Sequence, residues 1–315
     1  MTELPPTVVL LLSDKRSGST MFQDELCRHP AVQHVAYSPH TYSETHHWLK
    51  AAVLLDRPAP LFVGNRVYGN YGSAANARTY MIDTLARNIP GYVAPQDDAA
   101  LVFEGWEALC ARFARPVFFE KSPQILVQWA ALSLLLEWKA RTRFRVRVIG
   151  LVRNPLAVQY SAQALFSSEA ESRQFSWLMG QRNLLTLKSM LPAEDFLLLR
   201  YEEIIADPRA RFDAVCDFVG LPRDGAVGSG AHAESLEKWR DDPEYTLQLD
   251  PAVRQIAEVF GYTAAELDNP HKPAAAPAGA HTRGPRPWRQ RADGLANRVL
   301  RPAYLRLRAR LGPRA

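Results

Sequence analysis

A chain of 315 residues can bury one large core or two small ones, and 47% hydrophobic residues with mixed charge excludes a disordered chain. The net charge of +5 averages two unlike parts: residues 271–315 carry ten Arg and one Lys against one Asp, which leaves 27 basic and 32 acidic residues in the first 270. The mildly acidic body excludes a nucleic-acid partner argued from overall charge, so any polyanion or membrane contact belongs to the tail.

Residues 1–6 lack the basic stretch of a secretion signal, and the apolar run that follows is too short to span a membrane, so a cytoplasmic protein is expected. Cys27, Cys110 and Cys216 lie far apart with no C-x-x-C spacing, and are expected to be reduced and structural.

Val8-Val9-Leu10-Leu11-Leu12 reads as a buried parallel strand that runs into the polar stretch Ser13-Asp14-Lys15-Arg16-Ser17-Gly18-Ser19-Thr20, with a helix from Met21 to His29 behind it. Unpaired amides at a helix start, the helix dipole and a Gly that admits close approach make such a loop a cradle for phosphate-like groups. Arg16 adds charge, and Ser17, Ser19 and Thr20 add hydroxyl donors. The loop is not an ATP loop of the G-x-x-x-x-G-K-[ST] kind, because Ser19 stands where the Lys belongs and the cation precedes Gly18.

The connection from 31 to 47 is polar and holds His34, His40, Glu44, His46 and His47. Their spacing fits neither an i, i+4 zinc helix nor a finger, so no metal is expected. A loop is expected at 65–76, and helices over Thr79–Asn88 and Leu101–Phe113; acceptor recognition would lie in residues 37–115 and 163–185.

Three more strands follow with a shared grammar. Val117 to Lys121 ends in a cation, with Ser122 expected to cap a helix that starts at Pro123. Arg145 to Val152 ends at Arg153-Asn154-Pro155, and a helix follows. Phe196 to Glu203 precedes a helix that Asp207-Pro208 opens and Gly220 stops. Strands alternating with helices imply right-handed crossovers and a mainly parallel sheet with helices on both faces, a P-loop-like three-layer α/β sandwich. Arg16, Lys121, Arg153 and Tyr201 then gather at the carboxyl edge, where open α/β sheets bind ligands. Three strands ending in cations point to a polyanionic ligand.

The α/β domain is expected over 1–267. Residues 268–290 read as a Pro/Ala/Arg-rich linker, and 291–315 as a basic, partly amphipathic tail suited to an anionic membrane surface, or simply solvated.

With these motifs in place, the chain resembles the sulfotransferases that use 3′-phosphoadenosine-5′-phosphosulfate (PAPS), in their carbohydrate-type and bacterial branch. Arg16-Ser17-Gly18-Ser19-Thr20 is similar to the family's 5′-phosphosulfate loop. Arg153-Asn154-Pro155 with Ser161 is similar to its 3′-phosphate motif, with Asn154 in place of the commoner Asp. Arg200-Tyr201-Glu202-Glu203, Asp207-Pro208 and Phe218-Val219-Gly220-Leu221 complete the match. The resemblance implies sulfuryl transfer from PAPS to an acceptor hydroxyl, without a metal. It assigns Lys121 to the sulfuryl group or acceptor, and Lys238 and Trp239 to the nucleotide, although Trp239 reads equally as a core anchor. The implied base is a Glu or a His. Glu44 follows the His29-Pro30 helix end as the family's Glu does, and His40 and His46 are its rivals.

Two other readings compete. An ATP-dependent, kinase-like phosphotransferase would explain the first loop, yet it lacks the Walker Lys and an Asp after Val152 for Mg²⁺. A non-catalytic membrane-associated binding module would make the tail its working part.

Overall fold

The computed structural model describes residues 5–40, 42–57, 73–163, 170–230 and 236–271. Most of the expected loop at 65–76, most of the linker at 268–290 and the whole tail at 291–315 lie outside these residues. The chain divides into two compact units, Met1–Arg153 with Ser176–Ser235, and Asn154–Phe175 with Leu236–Ala315.

The first unit holds a five-stranded sheet, all parallel, in the order β2-β3-β1-β4-β5. Its strands are β1 (Thr7–Ser13), β2 (Val32–Gln33), β3 (Val117–Lys121), β4 (Arg145–Val152) and β5 (Phe196–Arg200). All seven residues of β1 are buried, as a central strand covered on both faces requires. The two-residue edge strand β2 escapes sequence reading because nothing so short carries a period. Because β1 lies between β3 and β4, the loops after these three strands open side by side, and Arg16, Lys121 and Arg153 come from adjacent strand ends.

Helices cover both faces. Successive strand residues point to opposite sides, and Phe119 meets Phe22 of α1 (Ser19–Leu26), which in turn meets Phe212 of α9 (Pro208–Val219). Phe118 points the other way, onto Trp106 and Phe113 of α4 (Asp98–Phe113). There Trp48 of α2 (His47–Leu54) packs on Trp106 and on Trp138 of α5 (Trp129–Lys139), with ring centroids 5.4 and 5.9 Å away. This aromatic knot seats α2, whose N-cap is His46, and α3 (Ala74–Asn88) completes that layer.

Several expectations need correction. Ser122 does not cap a helix; its hydroxyl donates to Glu120, and a 3-10 turn over Pro123–Val127 precedes α5. The last strand ends at Arg200, and Tyr201 to Glu203 begin α8 (Tyr201–Ala206). The sequence reading also missed α7 (Ala170–Met190), because the buried Gln181 interrupts the apolar stripe of Trp177, Leu184 and Leu187. The helix at Asp207-Pro208 starts where expected, and a helix at Pro251 starts the same way, each with an Asp side chain accepting from a backbone N–H two or three residues on.

The second unit contains α6 (Pro155–Gln163), α10 (Pro251–Val259) and a small core of Leu156, Ala157, Trp239, Tyr245 and Leu247. Tyr245 Oη donates to the Leu156 carbonyl at 2.9 Å, and Asn269 Nδ2 closes onto the carbonyls of Tyr245 and Leu247. Among the described residues, no helix is long and apolar enough to cross a membrane.

Candidate active site

β1 hands over to α1 through residues 14–18, and Gly18 is the N-cap of α1, with a φ of 91°. A Cβ there would lie 2.3 Å from Tyr201 Cε2, so both the left-handed backbone and the approach of the ring demand glycine. Arg16 is also left-handed, at φ 70°, and its carbonyl accepts from Arg153 Nη1 at 3.0 Å. The Arg153 guanidinium lies 4.5 Å from the centroid of the Tyr201 ring. Tyr201 is therefore a spacer that presses on Gly18 while carrying Arg153. Ser17 is fully buried and its Oγ has no hydrogen-bond partner, and no side chain caps the first turn of α1. An anion laid on this loop would meet unused donors.

Beside the loop lies a second cluster. Lys121, at the end of β3, shares the face of Phe119 that looks toward α1, and its Nζ donates to Thr20 Oγ1 at 3.1 Å and to Glu44 Oε1 at 3.0 Å. The other Glu44 oxygen, Oε2, accepts from His46 Nε2 at 3.1 Å and lies 3.2 Å from His40 Nδ1, which is not aligned as a hydrogen bond. The fold thus brings together Thr20, Lys121, Glu44, His40 and His46 from three separated stretches. Tyr42 closes the group, its ring centroid 5.4 Å from Lys121 Nζ and 5.9 Å from that of His40.

Burial and charge set the protonation of this cluster. Burial pushes the Glu44 carboxyl up, but the His46 hydrogen bond, the Lys121 charge and the two imidazoles outweigh it, and the group ends below its ordinary value. His40 is pushed down to about 4, first by burial and then by His46, so it is neutral at pH 7. In the loop, burial raises Asp14 to about 6 and lowers Lys15. His47 is also pushed down to about 4 by burial; its Nε2 donates to the Val102 carbonyl at 2.8 Å, which ties α2 to α4 and makes it structural.

Donor atoms of His40, Glu44 and His46 lie within 4.8 Å of one another, a set able to ligate a transition metal. The Lys121 ammonium already supplies a cation to the same carboxylate, and Lys15 adds a second nearby, so the field around the cluster suits an anion better than a dication.

The sequence reading overlooked Glu120. Alternation along β3 was the available signal: Glu120 follows Phe118 onto the face that bears α2 and α4, whereas Lys121 follows Phe119 toward α1. Burial pushes the Glu120 carboxyl up to about 8, more than its hydrogen bonds from Ser122 and Thr45 pull it down.

Ser161, Lys238 and Trp239 belong to the second unit. Ser161 lies on α6, Lys238 is exposed, and Trp239 is 2% exposed within that unit's small core, with the Arg240 guanidinium 4.5 Å from its ring centroid.

A family model described as "Sulfotransferase family" matches residues 9–225. Among solved structures, the sulfotransferase domain from the Synechococcus PCC 7002 olefin synthase aligns with 83% of this chain and 96% of its own, at 21% identity and a TM-score of 0.53. The sulfotransferase domain from the curacin biosynthetic pathway aligns with 83% of this chain and 99% of its own, at 18% identity and a TM-score of 0.53. At these identities the likeness shows the fold. No curated protein matches the chain.

Proposed function

The chain belongs to the sulfotransferase family, and from that premise we propose that it transfers a sulfuryl group from PAPS to the hydroxyl of a sugar, a glycolipid or another small-molecule alcohol. The observation that carries this reading is the position of Lys121, whose ammonium bridges Thr20 of the anion loop and the Glu44 carboxylate. A cation and a proton acceptor stand together at the rim of a phosphate-type cradle, as transfer from an anionic donor to a hydroxyl requires.

The buried, unpartnered Ser17 hydroxyl and the uncapped start of α1 support a fit to the 5′ end of the donor. Arg16, Ser17, Gly18, Ser19 and Thr20 would hold that end, and Arg153, steadied by Tyr201, would meet the 3′-phosphate. The motif resemblance alone adds Ser161, Lys238 and Trp239. When bound, the donor supplies the sulfuryl group and a phosphate leaving group for an in-line displacement. Arg16 and the loop amides then stabilise charge that grows on the leaving oxygen, Lys121 neutralises the transferring group, and Glu44 takes the acceptor's proton. His40, neutral and partly exposed, is the rival base.

The test is incubation of the full chain with ³⁵S-labelled PAPS and cell extract. Label appearing in an extractable acceptor is the expected result. No transfer, together with no binding of 3′-phosphoadenosine-5′-phosphate in a titration, overturns the reading; transfer of the ATP γ-phosphate instead would favour a kinase.

A further inference from the structure

Glu120 is buried, and the proposed reaction gives it no role, yet one of its oxygens accepts three hydrogen bonds. Its Oε1 accepts from Thr45 N at 3.3 Å, Thr45 Oγ1 at 2.8 Å and Ser122 Oγ at 2.6 Å. Ser122 Oγ in turn accepts from His46 N at 3.1 Å, and Thr45 Oγ1 accepts from His47 N at 3.2 Å. The backbone N–H groups of the three residues after Glu44 therefore all end in a network rooted at Glu120. These are the amides that precede and open α2, so Glu120 works as a remote cap.

The network explains an otherwise costly conformation. His46 is left-handed, at φ 50° and ψ 19°, a conformation that a non-glycine residue keeps only where its surroundings over-determine it. In that conformation the His46 ring returns to Glu44, its Nε2 3.1 Å from Oε2, while Lys121 holds Oε1. Three consecutive residues at the end of β3 thus act on one loop from two sides: Glu120 and Ser122 hold its backbone, and Lys121 holds its carboxylate.

We propose that Glu120 is a positioning residue that sets the place and proton affinity of Glu44 by fixing the Thr45–His46 backbone. The inference rests on the reading of Glu44 as the base. The charged and titratable groups that face Glu44 are Lys121 from β3, Lys15 from the first loop, Tyr80 from α3, and His40 and His46 from its own segment, with Glu120 behind it. Held largely neutral at pH 7, Glu120 accepts the three donors without placing a full second negative charge beside the base.

The experiment compares Glu120→Ala, Glu120→Gln, Ser122→Ala and Glu44→Gln in the full chain. Loss of label from ³⁵S-labelled PAPS is followed, as free sulfate with water as acceptor or as the sulfated glucoside with octyl β-glucoside, alongside titration with 3′-phosphoadenosine-5′-phosphate. Glu120→Ala should lower kcat at least tenfold with nucleotide affinity within twofold, and should move the acid limb of the kcat–pH profile upward as Glu44 loses His46. Glu120→Gln, which keeps the accepting oxygen, should restore most of kcat and the original limb. Should Glu120→Ala fail to bind nucleotide through misfolding, Ser122→Ala reads the same effect through the His46 amide. An unchanged limb and kcat in Glu120→Ala and Ser122→Ala, with Glu44→Gln inactive, overturns this inference alone. Full turnover in Glu44→Gln overturns the base reading, whatever the Glu120 variants do.

Discussion

Lys121 Nζ stands 3.0 Å from Glu44 Oε1, an ion pair whose side chains are 0% and 5% exposed, and it reaches Thr20 with the same ammonium. Removing one partner of a buried pair leaves an uncompensated charge, which costs about 3–5 kcal/mol. Lys121→Met should therefore lower the thermal midpoint and cut kcat by about a hundredfold or more, the usual cost of a lost charge-stabilising donor. The double variant Lys121→Met with Glu44→Gln should regain part of the stability and none of the activity. Thermal unfolding and sulfuryl release check both statements.

Glu44→Gln should bind 3′-phosphoadenosine-5′-phosphate as the parent does and lose turnover. The folded-state pKa of Glu44 lies below its ordinary 4.5. Its ionised form therefore contributes stability that is complete above about pH 4.5 and is lost as pH falls through the folded value. The parent's stability advantage over Glu44→Gln should be full at pH 7 and vanish in strong acid, as denaturant unfolding across pH would reveal.

Glu120 has the opposite sign. Its folded pKa is raised from 4.5 to about 8, so the folded state holds a proton that the unfolded state releases, and stability falls as pH rises between these values. Glu120→Gln carries no such proton, so its thermal midpoint should gain on the parent's from pH 4.5 to 8 and then hold level. A parallel pair of midpoint curves would contradict a buried, protonated Glu120.

Gly18→Ala meets Tyr201 at 2.3 Å and a φ of 91°, so both the ring and the backbone resist it. A cost of about 1–3 kcal/mol is expected from the backbone alone. Because Tyr201 also carries Arg153, nucleotide affinity should fall with stability. Calorimetric titration and thermal unfolding should show the two losses together, and Tyr201→Ala should relieve only the steric part.

Arg153→Ala should weaken binding of 3′-phosphoadenosine-5′-phosphate about tenfold to a hundredfold, the range for a lost charge-assisted hydrogen bond. Adenosine 5′-phosphosulfate, which lacks the 3′-phosphate, should bind the parent and the variant alike. Equal loss for both nucleotides would place Arg153 at the other end of the donor.

The chain's own pattern sufficed for four of the five strands of the sheet and for the adjacency of three cations at its carboxyl edge. A continuous apolar run such as Val8 to Leu12 can only be a buried strand, and a polar, Gly-bearing stretch between it and an amphipathic helix can only be a turn at the carboxyl edge, so Arg16, Lys121 and Arg153 were legible as neighbours. Those inferences need only local periodicity and the short-range rules of α/β connection. What the tertiary structure alone decided is the rest: that Glu44, His40 and His46 converge on Lys121, that Tyr201 begins a helix and carries Arg153, and that Glu120 and Ser122 accept the backbone N–H groups of Thr45 and His46. Residues 31–47 have no period, and their conformation is set by hydrogen bonds to residues about 75 positions away in β3. A contact of that range leaves no mark in the local sequence, because the energy that selects it exists only once the strand and the loop have been brought together.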